Sequence, residues 1–123
     1  MSDFKKFEDL KCWQASRELV KTAFLLSEKG KLKTDRDTKS QFRRTALSSM
    51  NNIAEGFGRF SDKEFIRFLD IAQSSAREVK SMLYVFEDLS YLQPDDIQLL
   101  HQKTDAVLAL TLGFIRYLRK KGE

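Results

Sequence analysis

With 123 residues, 41% hydrophobic and 33% charged, the chain has the apolar mass for one compact domain spanning residues 1–123. Its net charge of +4 permits contact with a polyanion without demanding it. The single cysteine, Cys12, excludes a disulfide framework. No basic-then-apolar leader opens the sequence and no apolar run approaches about twenty residues, so a cytoplasmic protein without membrane contact is the expectation.

Five glycines and one proline leave few places to turn, which predicts few, long helices rather than strands. The spacing of Phe7, Leu10, Trp13, Leu19, Val20, Ala23, Phe24 and Leu26 predicts a first helix over about 7–29. Trp13 is expected to anchor the core or an interface, and Cys12 to be a half-buried thiol beside it. Residues 30–37, GKLKTDRD, read as a charged loop in which Gly30 stops one helix and Asp35 or Asp37 caps the next.

The second helix, about 38–57, carries three faces in QFRRTALSSMNNIAEGFGRF (41–60). Gln41, Arg44, Ser48, Asn52, Glu55 and Arg59 form one polar line at spacings of three and four. Phe42, Ala46, Ser49, Ile53, Phe57 and Phe60 form a second line. Leu47, Met50 and Ala54 form a third, giving more apolar surface than an ordinary surface helix presents. Gly56 and Gly58 are expected to supply a left-handed cap or a bend at its end.

Ser61 followed by Glu64 reads as a capping box opening a third helix over about 62–91, with a heptad-like row from Phe65 to Leu89. Pro94, Asp95 and Asp96 suit the first turn of a fourth helix over about 95–120, whose last turns hold Arg116, Arg119, Lys120 and Lys121. Four long helices joined by short loops bury their stripes side by side, so the predicted fold is an all-α, antiparallel up-down-up-down four-helix bundle.

The order of Gln41, Arg43, Arg44, Ser48, Asn52, Ile53, Ala54, Glu55, Gly56, Gly58 and Arg59 resembles the Q-x-R-R-x-x-x-S-x-x-x-N-I-A-E-G-x-G-R signature of the four-helix-bundle proteins encoded within intervening sequences of 23S ribosomal RNA genes. That family looks related to the accessory variability determinant proteins of diversity-generating retroelements. FEDLKCWQ, SDKEFIRFLDIAQSSAREV and the fourth helix extend the resemblance over nearly the whole chain. The chain departs from the family pattern at KGKLKTDRDTKSQ and at Ser49-Met50-Asn51. The resemblance implies a homopentamer and, in the retroelement branch, a basic barrel that engages nucleic acid and a reverse transcriptase.

The residues independently point to self-association. Leu47, Met50 and Ala54, with Leu110 and Tyr117 of the fourth helix, would each forgo burial of up to roughly 1.5–3 kcal/mol if left in water. The polar line has two readings. It is either a hydrogen-bonded ladder that seats the second helix on its neighbours, or a surface on which Arg43, Arg44, Arg59, Lys63 and Arg67 meet phosphates of RNA or DNA, with Gln41 and Asn52 as neutral partners. The basic tail either complements the helix dipole or extends that surface. A protein-interaction scaffold of the same shape is the alternative to nucleic-acid binding.

An enzyme is not expected. His101 lacks a Cys or His at metal-ligand spacing, Cys12 lacks a base in sequence, and GFGR does not follow a strand as a phosphate loop would. Glu55 and Glu78 are conceivable as paired carboxylates on facing helices, but no pocket is announced for them. No catalytic residue, metal or cofactor is expected.

Overall fold

The protein is described by a computed structural model over residues 4–122; residues 1–6 read in the sequence as a short polar lead, of which the first three lie outside the described residues. A short 3-10 turn, Phe7–Asp9, precedes helix α1, Lys11–Leu26. A second 3-10 turn, Gly30–Leu32, leads to α2, Arg36–Phe57, followed by α3, Asp62–Asp88, and α4, Pro94–Lys121. No strand occurs among the described residues. Each helix packs on the next in the chain, and α4 returns to α1, which closes an antiparallel four-helix bundle.

The helix ends follow local chemistry. Asp35, rather than Asp37, caps α2 by accepting the Thr38 amide at 3.1 Å. Ser61 caps α3 by accepting the Glu64 amide at 3.1 Å, but the return arm of the box is replaced: the Glu64 carboxylate takes Arg67 at 3.3 Å. Pro94 occupies the first turn of α4, where its missing N–H has no intrahelical use.

The first helix differs from expectation. Leu10 is extended, with φ −76° and ψ 126°, so the chain breaks there and drops the leucine into the core at 1% exposure before α1 begins. Leu32, within the charged loop, is fully buried. Gly58 has φ −82° and is not a left-handed cap. The glycine that needs its freedom is Gly30, at φ +55°, where a Cβ would stand 2.2 Å from the Tyr91 carbonyl oxygen.

That contact joins the two loops at one end of the bundle, called the upper end. The Lys31 amide donates to the Tyr91 carbonyl at 3.1 Å, and the Tyr91 hydroxyl donates to Asp35 Oδ2 at 2.6 Å. The hydroxyl and then the Thr38 amide hold the Asp35 carboxyl below its ordinary range, while the same bond raises the Tyr91 phenol.

The core has two apolar clusters. The upper one holds Leu26, Leu32, Phe42, Leu83, Phe86 and Leu100; the lower holds Leu10, Ile53, Phe65, Leu69, Ile115 and Leu118. Between them each helix contributes a buried polar residue: Ser16, Ser49, Gln73 and Thr111. The two serine hydroxyls donate to carbonyls of their own helices, Trp13 and Ala46, each at 2.7 Å. Near the lower cluster, Gly56 lets α2 approach α3 closely, since a methyl group there would lie 2.7 Å from Phe68 Cβ and 2.8 Å from Phe65 Cδ1.

Gly56→Ala is therefore expected to lose roughly 1–3 kcal/mol by overpacking. Gly58→Ala, whose methyl would meet only the Glu55 carbonyl at 3.7 Å, should stay within about 0.5 kcal/mol of the parent. Urea unfolding midpoints at matched slopes measure both. Tyr91→Phe supplies the pH test. A depressed carboxyl contributes stability that is present above its unfolded value, about 3.9, and fades as pH falls through the lower folded value. The variant should be less stable than the parent at neutral pH, and the gap should close on acidification below about pH 4.

Candidate nucleic-acid interface

The polar line of α2 faces α3 along part of its length. Ser48 and Ser75 hydroxyls lie 2.8 Å apart, Thr45 Oγ1 donates to Glu78 at 3.3 Å, and Gln41 donates to the same carboxylate at 3.4 Å. Asn52 donates to the Ser48 carbonyl and hydroxyl at 2.9 and 3.1 Å. Ser48 thus stands half-buried in a seam between helices, Gln41 reaches that seam from an exposed position, and Asn52 bonds within its own helix. Thr45 and Ser75 belong to that seam although no stripe in the sequence singles them out. Arg44 is exposed and donates to Ser40 at 2.5 Å on its own helix.

Arg43 does not accompany Arg44. Its guanidinium reaches the end of α1, donating to Ser27 Oγ at 2.8 Å, the Phe24 carbonyl at 3.3 Å and Glu28 at 2.6 Å, and it rests 4.6 Å from the centre of the Phe24 ring. Lys39 shares the Glu28 carboxylate, and with Arg43 it holds that carboxyl below its usual range. With its donors committed to the protein, Arg43 acts as a clasp between α1 and α2.

Arg43, Leu47, Met50 and Ala54 are spaced four, three and four along α2, so the third apolar line shares the flank that meets α1. Leu47, Met50 and Ala54 are each half-buried. Leu110 and Tyr117 lie on α4, 39% and 40% exposed, beside a groove of about 430 Å³ that they line with Phe4, Leu10, Cys12 and Gly113. The charged outer row of α1, including Lys11, Arg17, Glu18 and Lys21, stands between the two sets. Residues 106–114, AVLALTLGF, carry no charge, and within them Ala106, Ala109, Leu110 and Gly113 are exposed. Among the described residues nothing lies within 4 Å of where a Cβ would stand at Gly113.

Arg59, Lys63 and Arg67 come together at the lower end. Arg59 pairs with Glu55 at 2.7 Å and Arg67 with Glu64 at 3.3 Å, while their guanidinium groups lie 4.5 and 5.0 Å from the Phe68 ring centre. Antiparallel packing brings the last turns of α4 to the same end: Lys121 meets Asp62 at 3.5 Å, and Arg119 meets Asp70 at 3.9 Å. Lys63 and Arg119 line one shallow depression of about 440 Å³. Lys63, Arg116 and Lys120 have no ion-pair partner among the described residues.

The groups weighed for chemistry are placed apart. Glu55 bonds Arg59, whereas Glu78 bonds Thr45, ten residues or about 15 Å further up α2. Cys12 is buried rather than half-buried, at 3% exposure, and burial pushes its thiol up to about 12, so it stays protonated at neutral pH. His101 is partly buried against Tyr84 and its Nδ1 lies 3.1 Å from Lys80 Nζ; desolvation and then that ammonium lower its pKa. No group of three or more potential ligands among the described residues could hold a metal ion. No helix among the described residues is long and apolar enough to cross a membrane.

These features define an all-α bundle with a hydrogen-bonded seam and a cationic lower end. The 23S rRNA-intervening sequence protein family matches residues 8–113, and the chain belongs to that family. The chain is also similar in fold to a solved protein of unknown function from the S23 ribosomal protein family of Bacteroides thetaiotaomicron VPI-5482. The two share 18% identity at a TM-score of 0.74, over 85% of this chain and 97% of that one. No curated protein matches the chain.

Arg43→Ala is expected to lower stability by roughly 1–3 kcal/mol, as loss of a charged hydrogen-bond cluster does. Arg43→Lys should fail to restore it, because one ammonium cannot reproduce the planar fork. Arg44→Ala should remain within about 0.5 kcal/mol. Thermal unfolding of the three variants separates the clasp from its exposed neighbour.

Proposed function

We propose that the protein is a non-enzymatic homo-oligomer that binds nucleic acid through its cationic lower end. The observation that carries this reading is the convergence of Arg59, Lys63 and Arg67 with the basic last turns of α4 at one end of the bundle. The uncharged outer face of α4 supports association between copies. An exposed glycine in a helix interior loses roughly 0.5–1 kcal/mol relative to alanine, and no contact among the described residues accounts for Gly113. Close approach of another copy does. The family resemblance supports five copies, and five charges of +4 would pool about +20. Weak contacts from single subunits would then add through multivalency.

Light scattering of the purified protein should give a multiple of 14.3 kDa. Leu110→Glu, a change at an exposed position, should shift it toward the single chain while helicity by circular dichroism is kept. A 14.3 kDa parent at micromolar concentration removes the oligomer. In a salt series, affinity for RNA or DNA should fall steeply as counterion release requires. Lys63→Glu combined with Arg67→Glu should reduce binding at low salt by at least about tenfold with the assembly mass unchanged. Affinity that ignores both salt and these substitutions would favour a scaffold for protein partners instead.

A further inference from the structure

The helical spacing that places Phe60 on the core line of α2 fails at the last step. Helix α2 stops at Phe57, the Gly58 and Arg59 amides donate to the Glu55 and Gly56 carbonyls at 3.3 and 3.1 Å, and the chain turns away. Phe60 is left fully in solvent, with a relative exposure of 111%. The other aromatic residues nearby are engaged: Phe57 meets Phe65 edge-on at 6.1 Å, and Phe68 lies beneath Arg59 and Arg67. Phe60 has no ring contact among the described residues. Its backbone is nonetheless held, because the last turn of α2 lies on one side and the Ser61 cap of α3 on the other.

We infer that Phe60 is a stacking platform for an unpaired base, so that the nucleic acid bound at the lower end is single-stranded or carries an open loop. This rests on the nucleic-acid reading above and names the class of ligand within it. A phenyl ring at the tip of a fixed turn can reach the face of a base only where that face is free, and in a duplex both faces are covered by neighbouring pairs. Arg59 precedes the ring and Lys63, without an ion-pair partner among the described residues, lies in the first turn of α3, so phosphates flanking a stacked base would meet cations. Contact between copies through the same tip would bring these like charges together, which favours a polyanion as the occupant.

The test compares a short labelled RNA strand without self-complementarity and the same strand annealed to its complement, by fluorescence anisotropy at low salt. The parent should prefer the single strand. Phe60→Ala should weaken single-strand binding by about tenfold and leave duplex binding unchanged, and Phe60→Trp should retain the preference. Assembly mass and helicity should match the parent in both variants. Equal binding of both RNAs, unaffected by Phe60→Ala, would overturn the stacking role and leave the charge-led reading standing. Absence of binding to either RNA would remove the nucleic-acid reading and the platform with it. A changed assembly mass in Phe60→Ala would assign the ring to contact between copies.

Discussion

The close approach of α2 to α3 governs the rest of the molecule. It is possible because Gly56 presents no side chain to Phe65 and Phe68, and the hydroxyls of Ser48 and Ser75 continue the contact one seam further up. Apolar packing alone tolerates some sliding of one helix on another, whereas opposed hydroxyls and a shared carboxylate at Glu78 fix which turn meets which. Once that register is set, α2 must end where it does. The turn from Gly58 to Ser61 is then short and held at both sides, and the cations of two helix ends meet below it.

Much of this was legible in the sequence because it is local or periodic. The four helices follow from apolar spacing, and Asp35, Ser61 and Pro94 mark their starts by chemistry that operates over three or four residues. The features that escaped depend on where the chain breaks. Leu10 fits the period of the first helix yet is buried from an extended position before that helix begins, and Leu32 is buried from a 3-10 turn that no period flags. Phe60 satisfies the period of a helix that has already stopped. Arg43 looks like Arg44 in sequence, yet one residue turns it by about 100°, enough to send one guanidinium to α1 and the other to solvent. The family signature places both arginines in register without telling them apart.

The polar line thereby divides into parts with different physics. Its middle is a partly buried seam in which each group finds a partner, and its lower end is an ion pair open to water, which contributes only a few tenths of a kcal/mol as an isolated surface contact. Arg59 therefore adds little to folding through that pair, and its other contact is with the Phe68 ring. Other cations bridge helices, Arg43 and Lys39 at the opposite end around Glu28 among them.

The buried layer of Ser16, Ser49, Gln73 and Thr111 has a mechanical consequence. Close-packed apolar side chains transmit displacement because they cannot be compressed. At this level the serines bond to their own helices, while Gln73 Oε1 and Thr111 Oγ1 have no hydrogen-bond partner among the described residues. Hydrogen bonding between helices at this level passes instead through the Ser48 and Ser75 hydroxyls, 2.8 Å apart. Sliding of α2 past α3 there would break that contact, whereas the side chains of Ser16 and Thr111 form no hydrogen bond between α1 and α4 among the described residues.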